Sequence, residues 1–202
     1  IGFSGFFLAG NSNDPSTSAI WFFQMMFAAA ASTIIAGAVA ERFKFNSHVF
    51  CSMIVCGILY PVYGHWVWGN GWLANLPFGA GLKDFAGSGV IHGMGGLIAI
   101  IGAWMEGPRY GKYKPDGTSN MIHGHNLSYI VLGTMFLLFG WFGFNTGSTM
   151  EATDLRISII ATNTFLAAAT GATTLIYFSY FTTKKADVVM ACNGALAGCV
   201  AI

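Results

Sequence analysis

Of the 202 residues, 54% are apolar and only 8% carry a full charge, against about 25% charged in an ordinary soluble domain. So few charges cannot cover a water-facing surface, which excludes a soluble globular domain and points to a polytopic, all-α membrane protein. The net charge of +1 lacks the basic footprint that nucleic acid requires, so no nucleic-acid partner is expected.

In chain order, residues 1–18 are rich in Gly, Ser and Asn with one Asp-Pro step, which predicts a loop leading to a helix cap near Ser16 to Ser18. Residues 20–40 form the first expected span, closed by Glu41-Arg42-Phe43-Lys44-Phe45. Residues 48–66 form the second, with Pro61 late enough to bend only its end. Trp66-Val67-Trp68-Gly69-Asn70-Gly71-Trp72 has the aromatic and glycine content of a membrane interface, where amphipathic indoles settle.

Residues 86–105 form the third span, with Asp84 at its mouth and His92 part-way down. Read as continuous helix, the step from Asp84 to His92 is about 12 Å of depth and leaves the two within about 80° of one face. An Asp that opens a helix ordinarily caps it, accepting from free backbone N–H groups. A histidine inside hydrocarbon is costly unless it faces a cavity or a partner, so His92 is a functional candidate. Glycines at 87, 89, 93, 95 and 96 predict close approach of a neighbouring helix.

Residues 107–126 are the one long polar loop, residues 127–144 the fourth span, and residues 157–180 the fifth, with a Thr- and Ala-rich face suited to helix contacts. A last apolar run begins at residue 188. Its roughly 15 residues fall short of the roughly 30 Å of hydrocarbon, so the sequence reads as one transmembrane domain belonging to a longer polypeptide. Cys51, Cys56, Cys192 and Cys199 lack metal-type spacing and read as small buried hydrophobes. Alternating the spans puts Arg42, Lys44, Arg109, Lys112, Lys114, Lys184 and Lys185 on one side, against Lys83 and Arg156 on the other. The first side is then cytoplasmic, and Trp68, Asp84 and residues 144–150 belong to the outer face, with His92 beneath.

Three stretches in register, Ala38-Val39-Ala40-Glu41-Arg42, Asp84-Phe85-Ala86-Gly87 with His92 eight residues after the acid, and Gly140-Trp141-Phe142-Gly143-Phe144-Asn145-Thr146-Gly147-Ser148, closely resemble the ammonium transporter family, the Amt/Mep/Rh superfamily. The resemblance covers essentially the whole chain. It implies a polytopic helix bundle of eleven helices in two inverted five-helix halves plus a last helix, assembled as a homotrimer with one pore per subunit. This chain corresponds to about the third helix through the start of the eighth, in a multi-pass protein of the plasma membrane.

The resemblance also implies roles. Trp68, Phe27 and Ser148 match an outer ammonium site, where an indole face attracts a small cation and a hydroxyl accepts one of its N–H bonds. Phe27 and Phe144 match a pair of rings that closes the pore. A dry constriction passes no hydrated ion, whereas ammonium can shed a proton and cross as ammonia. Phe23 and Gln24, one turn before Phe27, match residues that support this gate. His92 matches the first of a pair of pore histidines, able when neutral to accept from ammonia or relay a proton. Asp84 matches an acid that supports the vestibule electrostatically and structurally. The implied partners are ammonium or ammonia, with methylammonium as analogue, and the lipid bilayer; no cofactor and no metal is implied.

Lower-ranked groups complete the reading. Glu41 and Arg42 read as a solvated pair at a helix end, His65 as a structural hydrogen-bonding residue, and His123 and His125 form no metal set on their own. No GxSxG, Walker A, HExxH or CxxC pattern supports an enzyme. A sensor of the same fold uses every residue named, and an axial haem ligand at His92 would need a facing deep histidine, whereas His48 and His65 are terminal.

Overall fold

The first helix begins earlier than its apolar run, because Asp14 supplies the cap. In the computed structural model, which describes residues 5–10 and 13–202, α1 spans Pro15–Val39 and the Asp14 carboxylate accepts from the Thr17 N–H at 2.9 Å and the Ser16 N–H at 3.4 Å. The expected cap at Ser16 to Ser18 therefore moves to Asp14. Pro15 takes the first helical position, where its missing N–H costs nothing. The Thr17 and Ser16 hydroxyls, with these N–H groups, pull the Asp14 carboxyl down to about 2. Part of the expected loop at residues 1–18 lies outside the described residues.

The chain divides into two units, residues 1–121 and 122–202, each all-helical among the described residues. In the first, α1 packs on α2 (Phe45–Val67) and α3 (Ser88–Glu106). The buried positions of α1, Phe27, Ala28, Ala31, Ser32, Ile35 and Val39, recur every three to four residues and form one face. Gly95 of α3 lies so close to the Ala31 carbonyl that an added Cβ would sit 3.0 Å from it. Gly87 does different work: its φ is +107°, which a side chain would resist.

Two of these helices are not regular. Within α2, residues Val55–Leu59 form a π turn just before Pro61. Proline has no N–H and its ring crowds the carbonyl four residues back, here Gly57 in the middle of that turn, so the helix widens instead of only bending at its end. The Cys56 thiol then donates to the Ala28 carbonyl at 3.4 Å, and the Ser32 hydroxyl to that of Ser52 at 2.8 Å. A second π turn, Ser88–Gly93, opens α3.

At the far end of α1, Glu41 and Arg42 do not pair with each other. Glu41 takes two hydrogen bonds from Arg109, at 2.6 and 2.8 Å. Arg42 donates to the Gly107 carbonyl at 2.8 Å and back to the Ala38 carbonyl. The Arg109 bonds hold the Glu41 carboxyl below the usual carboxylate range.

In the second unit, α4 spans Leu127–Gly147, α5 Arg156–Thr183 and α6 Val188–Val200. Asn126 caps α4 through the Tyr129 N–H at 3.2 Å, and Asp187 caps α6 through the Val189 N–H at 2.8 Å. Helices α5 and α6 meet backbone to backbone: a Cβ on Gly171 or Gly194 would run into the other's carbonyl, and one on Gly198 into that of Ala167. This is how membrane helices gain dispersion contact where no hydrophobic driving force acts between them. Among the described residues, α1 to α5 are long and apolar enough to cross a bilayer.

Candidate functional site

Asp84 is the hinge of the site in the first unit. Its Oδ1 accepts from the Gly87 N–H at 2.7 Å, and its Oδ2 from the Gly89 and Val90 N–H groups at 2.9 and 2.8 Å. These are the donors a helix leaves unsatisfied at its start, and a carboxylate is the strongest acceptor for them. Residues 84–87 are not helical, so the helical rise and shared face expected for Asp84 and His92 do not apply. Instead the acid folds over onto the π turn, and the His92 N–H closes that turn on the Gly87 carbonyl at 3.1 Å. His92 is half-buried, directly after the fully buried Val90 and Ile91.

Trp68 ends α2 and is fixed to the same acid. Its indole N–H donates to the Asp84 backbone carbonyl at 2.7 Å. With its edge committed, the ring meets Phe27 at 6.1 Å between centroids, tilted by 45°. Phe27 is 4% exposed, and Phe23 lies against it at 4.3 Å. Gln24 points elsewhere and accepts from the Tyr60 hydroxyl. A groove of about 610 Å³ opens beside Trp68, lined by Gln24, Tyr60 and His65 among others. Trp66 and Trp72 pack on each other at 5.7 Å, apart from this cluster.

Phe144 and Ser148 sit on the second unit, in the last turn and at the cap of α4. The Ser148 hydroxyl donates to the Phe144 carbonyl at 2.8 Å, which leaves its oxygen lone pairs to accept. Trp141 lies 5.8 Å from Phe144, ring to ring. Directly after Phe144, Asn145, 2% exposed, donates to the Thr164 hydroxyl at 3.0 Å and to the Cys199 carbonyl at 3.3 Å, joining α4, α5 and α6. From the sequence alone Asn145 stands only as one residue of the motif at residues 140–148. The available signal was an amide in an apolar span, which must find partners within the protein.

Among the described residues no three His, Cys, Asp or Glu side chains gather to hold a metal ion. The four cysteines are unpaired, with Cys199 buried and the others half-buried.

The model of the Ammonium Transporter Family matches residues 1–202. The chain belongs to the ammonium transporter family. It is 53% identical to ammonium transporter Amt2 of Archaeoglobus fulgidus, over all of this chain and 44% of that protein. It is 39% identical to ammonium transporter 1 member 1 of Solanum lycopersicum, over all of this chain and 45% of that one. Among solved structures it is similar to a sensor Amt protein, with a TM-score of 0.91 and 42% identity over 100% of this chain and 51% of that one. The N240A mutant of Candida albicans Mep2 gives a TM-score of 0.76 and 38% identity, over 87% and 38%. The chain thus spans about half the length of these family members or less, and it is part of an integral, multi-pass membrane protein.

Proposed function

We propose that this chain forms part of an ammonium-conducting path. Ammonium is recruited at Trp68, Phe27 and Ser148, loses its proton where Phe27 and Phe144 close the way, and crosses as ammonia along an apolar conduit that His92 lines. The observation that carries this reading is the fixed Trp68 ring: its N–H is spent on the Asp84 carbonyl and its aromatic body meets Phe27. A ring held rigidly costs little entropy when a cation docks on it, and the cation–π attraction is about 0.5 to 2 kcal/mol. Asp84 supports the site without touching the solute, because its carboxylate is occupied by three backbone N–H groups.

In this reading the two units form one transmembrane domain of a homotrimer in the plasma membrane. Transport currents of the full-length protein test it. Ammonium or methylammonium should carry current or uptake that potassium does not, and His92→Ala should alter ion discrimination or abolish conduction. Equal potassium and ammonium currents reject the deprotonation filter.

A second reading is favoured by the likeness, over all of this chain and 51% of the other, to a protein named as a sensor. The same outer site then reports ammonium occupancy with little transport. Binding of methylammonium with no radiotracer uptake selects this reading over the first.

A further inference from the structure

We propose that the hairpin at residues 109–120 docks on the headgroups of anionic lipid, with Lys112 and Lys114 binding lipid phosphate. The proposed path makes no use of this segment, yet it is folded. The Lys114 N–H donates to the Thr118 carbonyl at 3.0 Å and the Asn120 N–H to the Lys112 carbonyl at 2.7 Å, Tyr113 pairs with Ser119, and the Asp116 carboxylate closes the turn on the Thr118 N–H at 2.9 Å. It is also clasped to the end of α1, by Arg109 on Glu41 and by Arg42 on the Gly107 carbonyl.

The run Arg109-Tyr110-Gly111-Lys112-Tyr113-Lys114 intersperses cations with phenols. Tyr110 is fully exposed and Tyr113 58% exposed. Glu41 occupies Arg109, but among the described residues neither Lys112 nor Lys114 has a carboxylate within ion-pair distance, and the Lys112 ammonium reaches only the Asn120 carbonyl at 3.5 Å.

Position selects the occupant. Trp104 and Met105, 82% and 78% exposed, end a helix long and apolar enough to span the membrane, so Tyr110, a few residues on, falls at headgroup depth. Phenols favour that layer, lysine stems lie along it, and their ammoniums complement phosphate. The side of the membrane richer in lysine and arginine is also the side whose leaflet carries anionic lipid. An acidic protein would use the lysines but would give the exposed phenols no role.

Hydrogen exchange on the full-length protein tests this, in nanodiscs of phosphatidylcholine alone and of phosphatidylcholine with phosphatidylglycerol. Residues 108–116 should exchange more slowly in the anionic discs, by roughly fivefold for each lysine engaged, and the protection should vanish at high salt. Lys112→Gln with Lys114→Gln should abolish it while exchange in α3 stays unchanged, and the double Arg variant should keep it. Equal exchange in both lipids, or protection that survives the Gln pair, overturns the proposal. It does not depend on the conduction reading, whose failure would leave these results unaltered.

Discussion

The two units solve the same problem, helices in lipid, by opposite means. The second relies on regular helices whose backbones touch, with Gly171, Gly194 and Gly198 clearing the way and a single amide, Asn145, joining three helices. The first carries both π turns and is held by bonds from side chains to backbone: Asp84 to three N–H groups, Trp68 to the Asp84 carbonyl, Arg42 to the Gly107 carbonyl. Irregular backbone frees carbonyls and N–H groups at membrane depth, which is tolerable only where side chains satisfy them. The unit with the irregularities is also the one with His92 and Trp68, in keeping with the enrichment of π turns at functional sites.

If that contrast is right, the largest effect falls on Asp84. Asp84→Ala leaves three N–H donors without their acceptor, at about 1 to 3 kcal/mol each. The full-length variant should lose methylammonium uptake and unfold at markedly lower temperature. A variant no less stable than Asn145→Ala would erase the distinction between the units.

Next comes the backbone contact of the second unit. Gly194→Leu must push α5 and α6 apart, at about 3 kcal/mol, and thermal unfolding in detergent should register it without any prior change in ion preference. Trp68→Leu sits on the other side of the comparison. It should cost about 1 kcal/mol of stability through the lost bond to the Asp84 carbonyl and weaken apparent affinity by about 0.5 to 2 kcal/mol, read as the concentration dependence of uptake. Parent-like uptake in this variant would remove Trp68 from the site.

The smallest effect belongs to the exposed clasp. Because Arg109 lowers the Glu41 carboxyl in the folded protein, the clasp is fully present above the usual carboxylate range and is lost as pH falls through the lowered value. Protection of residues 107–121, measured relative to the intrinsic amide exchange rate at each pH, should therefore fall in acid, and Glu41→Gln should flatten that dependence. An unchanged pH profile in Glu41→Gln would show that the pair does not order the loop.

Most of the helices were legible in the sequence. Hydrocarbon demands a long apolar run wherever the chain crosses, so spans expected at residues 48–66, 86–105 and 127–144 appear within a few residues as Phe45–Val67, Ser88–Glu106 and Leu127–Gly147. The caps and breaks were less so. Asp14 outcompetes Ser16 because a carboxylate accepts more strongly than a hydroxyl, and Pro61 widens the helix ahead of it where only a bend at its end was expected. In the site, the motifs named Asp84 and His92 and the family resemblance added Trp68 and Phe27, but neither gave the bonds that join them.

The amino-acid order by itself determined the membrane class, the number and placement of the apolar helices, and the family, because each follows from composition or from short motifs read locally. Only the tertiary structure decided that Glu41 turns to Arg109 and not to its neighbour, that the Trp68 edge belongs to the Asp84 carbonyl, and that Asn145 joins three helices. Those pairings link residues 68, 16, 19 and 54 positions apart. Nothing in a residue's immediate neighbours fixes which distant donor or acceptor will satisfy it once water is gone.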